Sequence, residues 1–319
     1  SNSSVAENLP SGTVVGTLTS SDPDPGDTSF TYDFVDNAGY PDNASFNIVG
    51  NSLQTAAVFN FEAKASYSIN IRTTDPGTPG LTYDEVFSIA VTNVNEAPTN
   101  ITLTPTTVAE NLPIDTVVGA FNTTDPDTGN TFTYSTVAGT GDTDNAQFNI
   151  SGGNLRTSAI FDYETKSSYS IRVRSTDQGG ILFFEKSFTI TVTNVNDPPV
   201  IVQGDSVGVV MGEDNNPAFS LILSATDQDL PANTLTWSLN TQAAHGHANV
   251  TGTGTSPTLT YTADANYNGS VFFIVQVSDG TATDLITVNI TINPDLGDIY
   301  YVDQATGNDL DDGLTPATA

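Results

Sequence analysis

Apolar and polar residues alternate in short stretches along most of the chain. Tyr67-Ser68-Ile69-Asn70-Ile71-Arg72, Phe188-Thr189-Ile190-Thr191-Val192 and Leu235-Thr236-Trp237-Ser238-Leu239 each put their apolar side chains on one face of an extended backbone. These stretches predict half-buried antiparallel strands, with Trp237 in a core. Turn-forming clusters at Asp22–Asp27, Asp75–Gly80, Asp125–Asn130 and Asp177–Gly180 separate them. Thr, Val and Ile abound and no helical heptad is present, so almost no helix is expected. Many short strands in units of about 100 residues predict β-sandwiches, an all-β fold.

The pattern repeats. Val5–Pro10 reads VAENLP, and Val108–Pro113 carries the same six letters. Asp22-Pro23-Asp24 returns as Asp125-Pro126-Asp127, Phe59-Asn60-Phe61-Glu62 as Phe161-Asp162-Tyr163-Glu164, and Ser66-Tyr67-Ser68-Ile69 as Ser168-Tyr169-Ser170-Ile171. Val91-Thr92-Asn93-Val94-Asn95-Glu96 is matched by Val192-Thr193-Asn194-Val195-Asn196-Asp197. Pro98 and Pro198-Pro199 mark the joints, which divides the chain into units at 1–97 and 98–199. Residues 200–294 are similar in length but divergent, keeping Asp227-Gln228-Asp229 and Ser278-Asp279-Gly280. Residues 295–319 have too few apolar positions for a core and read as the opening of a further domain.

Charge changes the picture. With 7 Lys and Arg against 37 Asp and Glu, the formal net charge is −30, which opposes binding to nucleic acid or an anionic bilayer. So many carboxylates repel one another in a compact state unless cations intervene, and hard divalent ions with oxygen ligands are the usual remedy. Calcium is the first candidate. An acidic surface also serves plain solubility, so the placement of the acids has to decide. The chain has no Cys, which excludes disulfides, thiolate metal sites and a cysteine nucleophile. No run approaches the roughly 18–20 apolar residues of a membrane span, and the start at Ser1 without a basic, apolar leader reads as an excised or processed piece.

In sum of motifs, the first two units resemble cadherin repeats of the bacterial type over nearly all of residues 1–198. Glu7 and Glu110 match the family's early glutamate, Asn60-Phe61-Glu62 and Asp162-Tyr163-Glu164 its D-x-E element, Asp125-Pro126-Asp127 its D-x-D element, and Asp177-Gln178-Gly179 its later D-x-G. Asn93–Pro98 and Asn194–Pro199 match its D-x-N-D-N-x-P linker, one residue shorter and with Asn in place of the leading acid. The resemblance implies tandem Ig-like, Greek-key sandwiches in an elongated array, with calcium gathered at each joint. The first joint is expected to combine Glu7, Glu62, Asn95 and Glu96 with Asp125, Asp127 and Asp177. The second is expected to combine Glu110, Asp162, Glu164, Asn196 and Asp197 with Asp227, Asp229 and Asp279. Asn60, Asn93 and Asn194 are secondary candidates. Asp22, Asp24 and Asp75 would face a preceding repeat, so their sites are expected to be incomplete. At any single position, turn formation is a serious rival to ion binding. Matched glutamates after aromatic residues are not needed for turns.

Residues 200–294 resemble a cadherin-like or tandem-95-type module, through Tyr261–Gly269 and Val277-Ser278-Asp279-Gly280. The last 20 residues resemble the entrance of a right-handed parallel β-helix. His245 and His247 lack a third His or Cys partner and read as a solvated hairpin. No nucleophile motif and no phosphate-binding loop is present, and the paired acids lie in turns rather than in an apolar cleft. The chain is therefore read as non-catalytic: a calcium-binding structural or adhesive stalk outside the cell or on a bacterial surface. The alternatives are a spacer or carbohydrate-binding part of a larger polysaccharide-degrading enzyme, or a filament subunit. Expected partners are other surface or matrix proteins, polysaccharide, or a second copy.

Overall fold

The computed structural model describes residues 3–23, 26, 28–35, 39–213, 218–229 and 231–294. Asp24 and the expected β-helix entrance at 295–319 lie outside them. Among the described residues β-strands are the dominant regular element, with no α-helix and two short 3-10 turns, Pro41–Ser45 and Asn145–Gln147.

The alternating stretches become paired strands as the periodicity predicts. Ser66–Thr74 and Thr82–Thr92 form the longest hairpin of the first repeat, with Thr31–Phe34 on one flank and Ser4–Ala6 on the other. Ser4–Ala6 runs parallel to Thr82–Thr92, so the start of the repeat is bonded beside its end. A second sheet, Val14–Thr17, Ser52–Thr55 and Phe46–Val49, lies in the same repeat. Val5, Val15, Leu18, Phe46, Leu53, Phe59, Ile69, Ile71, Ile89 and Val91 make up the buried core of this repeat.

Two compact units emerge from the chain's contacts: the described residues up to Thr106 with Ile114–Ala159 and Ser170–Ile190, and Thr107–Pro113 with Ile160–Tyr169 and the described residues from Thr191 on. In the first unit, Asn100–Thr104 pairs with Val117–Thr124, which pairs with Asn154–Thr157. In the second, Thr107–Ala109 pairs parallel with Thr191–Thr193, repeating the arrangement of Ser4–Ala6. The third module sits wholly in this unit. Its Ser206–Gly212 strand is parallel to Thr283–Asn293, which continues through Gly269–Ser278 to Thr236–Thr241. Trp237 is buried among Phe273, Val275 and Ile290, and its indole N–H donates to the Gly254 carbonyl at 2.9 Å. His247 opens a strand of the hairpin formed by His247–Thr251 and Thr258–Thr262, while His245, in the loop before it, stacks on Tyr267; both histidines are exposed.

Candidate metal centres

The parallel first strand of each repeat delivers a glutamate to the end of the sandwich. Glu7 follows Ser4–Ala6, and its amide donates to the Thr92 carbonyl. Its carboxylate accepts from the Phe61 amide at 2.7 Å and the Val94 amide at 2.9 Å, and the residue is only 1% exposed. Glu110 repeats this in the second unit, accepting from Tyr163 at 2.6 Å and Val195 at 2.7 Å. Each glutamate therefore braces two segments, the turn bearing Glu62 or Glu164 and the linker bearing Glu96 or Asp197. The turns are fixed locally. Asn60 accepts from the Ala63 amide, and Asp162 from the Thr165 amide and hydroxyl.

The linker is tied forward in the same way at both joints. The Glu96 amide donates to Asp127 at 2.7 Å, and the Asn95 side-chain amide donates to Asp177. The Asp197 amide donates to Asp229 at 3.1 Å, and the Asn196 side chain to Asp279 at 2.9 Å. Within each D-x-D element the second amide closes onto the first carboxylate, Asp127 onto Asp125 and Asp229 onto Asp227. These are turns, as the simpler reading of Asp-rich stretches holds, yet each uses only one oxygen of Asp125 or Asp227.

Three groups of acids place carboxylate oxygens within 4.8 Å of one another: Glu7, Glu62 and Glu96; Glu110, Asp162 and Glu164; Asp227, Asp229 and Asp279. The first group lies whole in one compact unit and the other two in the second. Asp125, Asp127, Asp177 and Asn95 reach the first group through the linker bonds, as Asn196 and Asp197 do in the second unit. Oxygens sharing one calcium ion at about 2.3–2.6 Å lie at most about 5 Å apart, so the spacing suits that ion.

Several of the carboxylates are incompletely compensated by the protein itself. One oxygen each of Glu96, Asp125, Asp127 and Asp227 is buried without a hydrogen-bond partner. A bond to its own backbone amide pulls the Glu62 carboxyl down, but desolvation and the charges of Glu7, Glu96 and Asp127 carry it above the usual value. Asp197 is pushed up by desolvation and by Glu110, Asp229 and Asp162, despite the bond from Asn111. Desolvation also raises Asp227, helped by Asp229 and Asp279. Asp279 goes the other way: desolvation is outweighed by donors from Ala282, Asn196 and Thr281. Residues 200–294 contain no Lys or Arg to pair with these acids. Buried, partnerless carboxylate oxygens among like charges, with oxygen-only donors, fit a hard divalent cation.

Elsewhere, Asp75 accepts from the Gly77 and Leu81 amides in a turn, and with Asp22 it lines a cavity of about 340 Å³. Two features escape the sequence reading. Asn8 and Asn111 donate to the linker acids Glu96 and Asp197, both at 2.8 Å. Glu213 follows the parallel Ser206–Gly212 strand as Glu7 follows its own, with its amide on the Asn293 carbonyl and its carboxylate accepting from Asn268 at 3.2 Å. The signal for Glu213 was its place after an alternating strand.

A family model described as "Cadherin domain" matches residues 1–92 and 104–193, and one described as "Bacterial Ig domain" matches 196–291. The third module, expected from its motifs to be cadherin-like or of tandem-95 type, thus matches a bacterial Ig model. Among similar curated proteins, human Protocadherin Fat 4 is 27% identical over 303 residues, covering 92% of this chain and 6% of that protein. Chimpanzee (Pan troglodytes) Protocadherin gamma-A11 is 30% identical over 256 residues, covering 76% of this chain and 27% of that protein. The chain thus spans well under a third of the length of either relative. Among solved structures, mouse Cadherin-23 EC22-24 superposes with a TM-score of 0.59 at 19% identity, covering 92% of this chain and 95% of that one. The protocadherin gammaB7 EC3-6 cis-dimer structure gives a TM-score of 0.59 at 23% identity, covering 92% and 72%. The chain belongs to the cadherin family, as two cadherin domains followed by a bacterial Ig domain.

Proposed function

We propose that this chain is a non-catalytic segment of an extracellular adhesive or structural protein, in which calcium held at the joints near Pro98 and Pro198-Pro199 stiffens the chain of sandwiches. The observation that carries this reading is the matched pair of constellations, built from the same elements in each unit and leaving buried carboxylate oxygens without hydrogen-bond partners. Glu7, Glu62, Glu96, Asp125, Asp127 and Asp177, with Asn95, would hold ions at the first joint. Glu110, Asp162, Glu164, Asp197, Asp227, Asp229 and Asp279, with Asn196, would hold them at the second. A bound calcium ion supplies positive charge that offsets the repulsion among these groups.

The protein's part is to fix the donors beforehand. Glu7 and Glu110 hold turn and linker together, and Asp127 and Asp229 hold the linker to the following module by accepting its amide. An ion that needs groups on both sides of a linker binds the joined state in preference to the open one. Each such site stabilises by RT ln(1 + [L]/Kd), about 2.7 kcal/mol at a hundredfold excess over Kd. The family's adhesive role, and the cis-dimer of one structural neighbour, make a second copy or another surface protein the expected partner. Small-angle X-ray scattering in calcium and then in chelator tests the reading: the spread of dimensions should narrow with calcium. Superimposable profiles would reject it.

A further inference from the structure

Asn8 and Asn111 occupy the same place in the two repeats, directly after the bracing glutamates Glu7 and Glu110. Both adopt the left-handed backbone conformation, with φ of 60° and 59°. Non-glycine residues avoid that region, and Asn tolerates it best. Both are anchored through the backbone, Asn8 donating to the Phe59 carbonyl at 3.0 Å and Asn111 to the Phe161 carbonyl at 2.9 Å. The side-chain amides then reach across the linker, Asn8 to Oε1 of Glu96 and Asn111 to Oδ1 of Asp197, each at 2.8 Å. The linker acid differs in length between the joints, yet the donor and the distance do not.

One oxygen of the linker acid is thereby occupied by a neutral donor. At the first joint the other oxygen, Oε2 of Glu96, is buried and has no hydrogen-bond partner. We infer that Asn8 and Asn111 are positioning residues that set the orientation of the linker acid, one at each joint, so that its second oxygen is presented to the ion. A neutral amide suits this task. A Lys or Arg in its place would itself neutralise the acid and compete with the ion, whereas an apolar side chain would leave the carboxylate free to rotate. This inference rests on the reading of the acid groups as calcium sites.

The test uses the full chain and calcium chloride, with amide hydrogen exchange followed separately in the Val94–Glu96 and Val195–Asp197 linkers. The wild-type protein is titrated first; a chain that takes up no calcium removes the reading on which the inference rests, before any variant is compared. Asn8→Gly keeps the left-handed backbone and deletes only the amide. It should raise the calcium concentration needed to protect the first linker about ten-fold, as loss of one hydrogen bond to a charged group implies, and leave the second linker unchanged. Asn111→Gly should do the reverse. Each variant should lower the thermal midpoint more in calcium than in chelator, whereas a merely structural role would lower it equally in both. Asn8→Asp separates orientation from charge. If a further carboxylate simply adds attraction for calcium, Asp tightens binding; if the amide orients Glu96, Asp weakens it below the Gly variant. Wild-type calcium affinity in Asn8→Gly, or tighter binding in Asn8→Asp, would overturn the inference.

Discussion

Glu62 shows how the groups at a joint act on one another. Its own backbone amide lowers its carboxyl pKa, but desolvation and the charges of Glu7, Glu96 and Asp127 raise it above the ordinary 4.5. In the ion-free protein the folded chain thus holds this proton more tightly than the unfolded chain. Well below 4.5 both states are protonated and Glu62 is without effect on stability; as the pH rises through the raised value, it opposes the closed joint. Glu185 has the opposite sign. Arg174 and then Arg172 hold its carboxyl low, so its stabilisation is present above 4.5 and is lost as the pH falls through the folded value. Carboxyl-carbon NMR in chelator should place the Glu62 midpoint above 4.5, and calcium should bring it down; a midpoint indifferent to calcium would mean that no ion sits beside it. Glu164→Ala should weaken calcium at the second joint and leave the β signal in circular dichroism intact, because Glu164 lies in a turn and not in a core. The bracing glutamates were legible because the six letters around them repeat. Asn8 and Asn111 stand in those same letters, but their role depends on a left-handed backbone and on partners 88 and 86 residues away, which no local pattern reveals.

At the scale of elements, the two cadherin repeats differ where their sequences diverge within matched strands. Thr82–Thr92 and Phe183–Thr193 are of equal length and carry the ion pairs Arg72–Asp84 and Arg174–Glu185 at corresponding positions. Lys186 bonds the Asn100 side chain and the Ile101 carbonyl, both at 2.9 Å, and so fastens the Asn100–Thr104 strand. Glu85 stands at the equivalent position of the first repeat. Lys186→Ala should cost about 1–3 kcal/mol, read as a lower denaturation midpoint; no change would show that Ile101 and Leu103 hold the strand by burial alone. Similarly, Phe121 stacks on Tyr134 at 5.0 Å in the second repeat, while Leu18 in the first borders a cavity of about 230 Å³ with Tyr32 and Phe87. Leu18→Phe should fill it and stabilise by roughly 0.5–2 kcal/mol. A fall in the midpoint would mean that the space closes only with a further strand. The strands themselves were readable from alternation, since one face of each is buried. The partnering of Ser4–Ala6 with a strand some 85 residues later was not, because three residues carry too little pattern.

For the whole molecule, the repeat pointed to the two cadherin domains, and the charge pointed to acids that the fold gathers. A net charge of −30 would be unremarkable if the acids were dispersed, but they recur at corresponding points and converge into groups within 4.8 Å. The third module was harder to read, since it shares few motifs with the others and its Glu213 has no repeated context. Calcium should therefore act on the chain at two defined places rather than as a general counterion, and sodium chloride at matched ionic strength should not replace it. The most direct test is amide hydrogen exchange across the full chain, in millimolar calcium and in chelator at equal ionic strength. Slower exchange confined to Val94–Glu96, Asp125–Asp127, Val195–Asp197 and Asp227–Asp229, with the sandwich cores unchanged, is the predicted result. Identical exchange in the two conditions, or a uniform slowing spread over all strands, would contradict it.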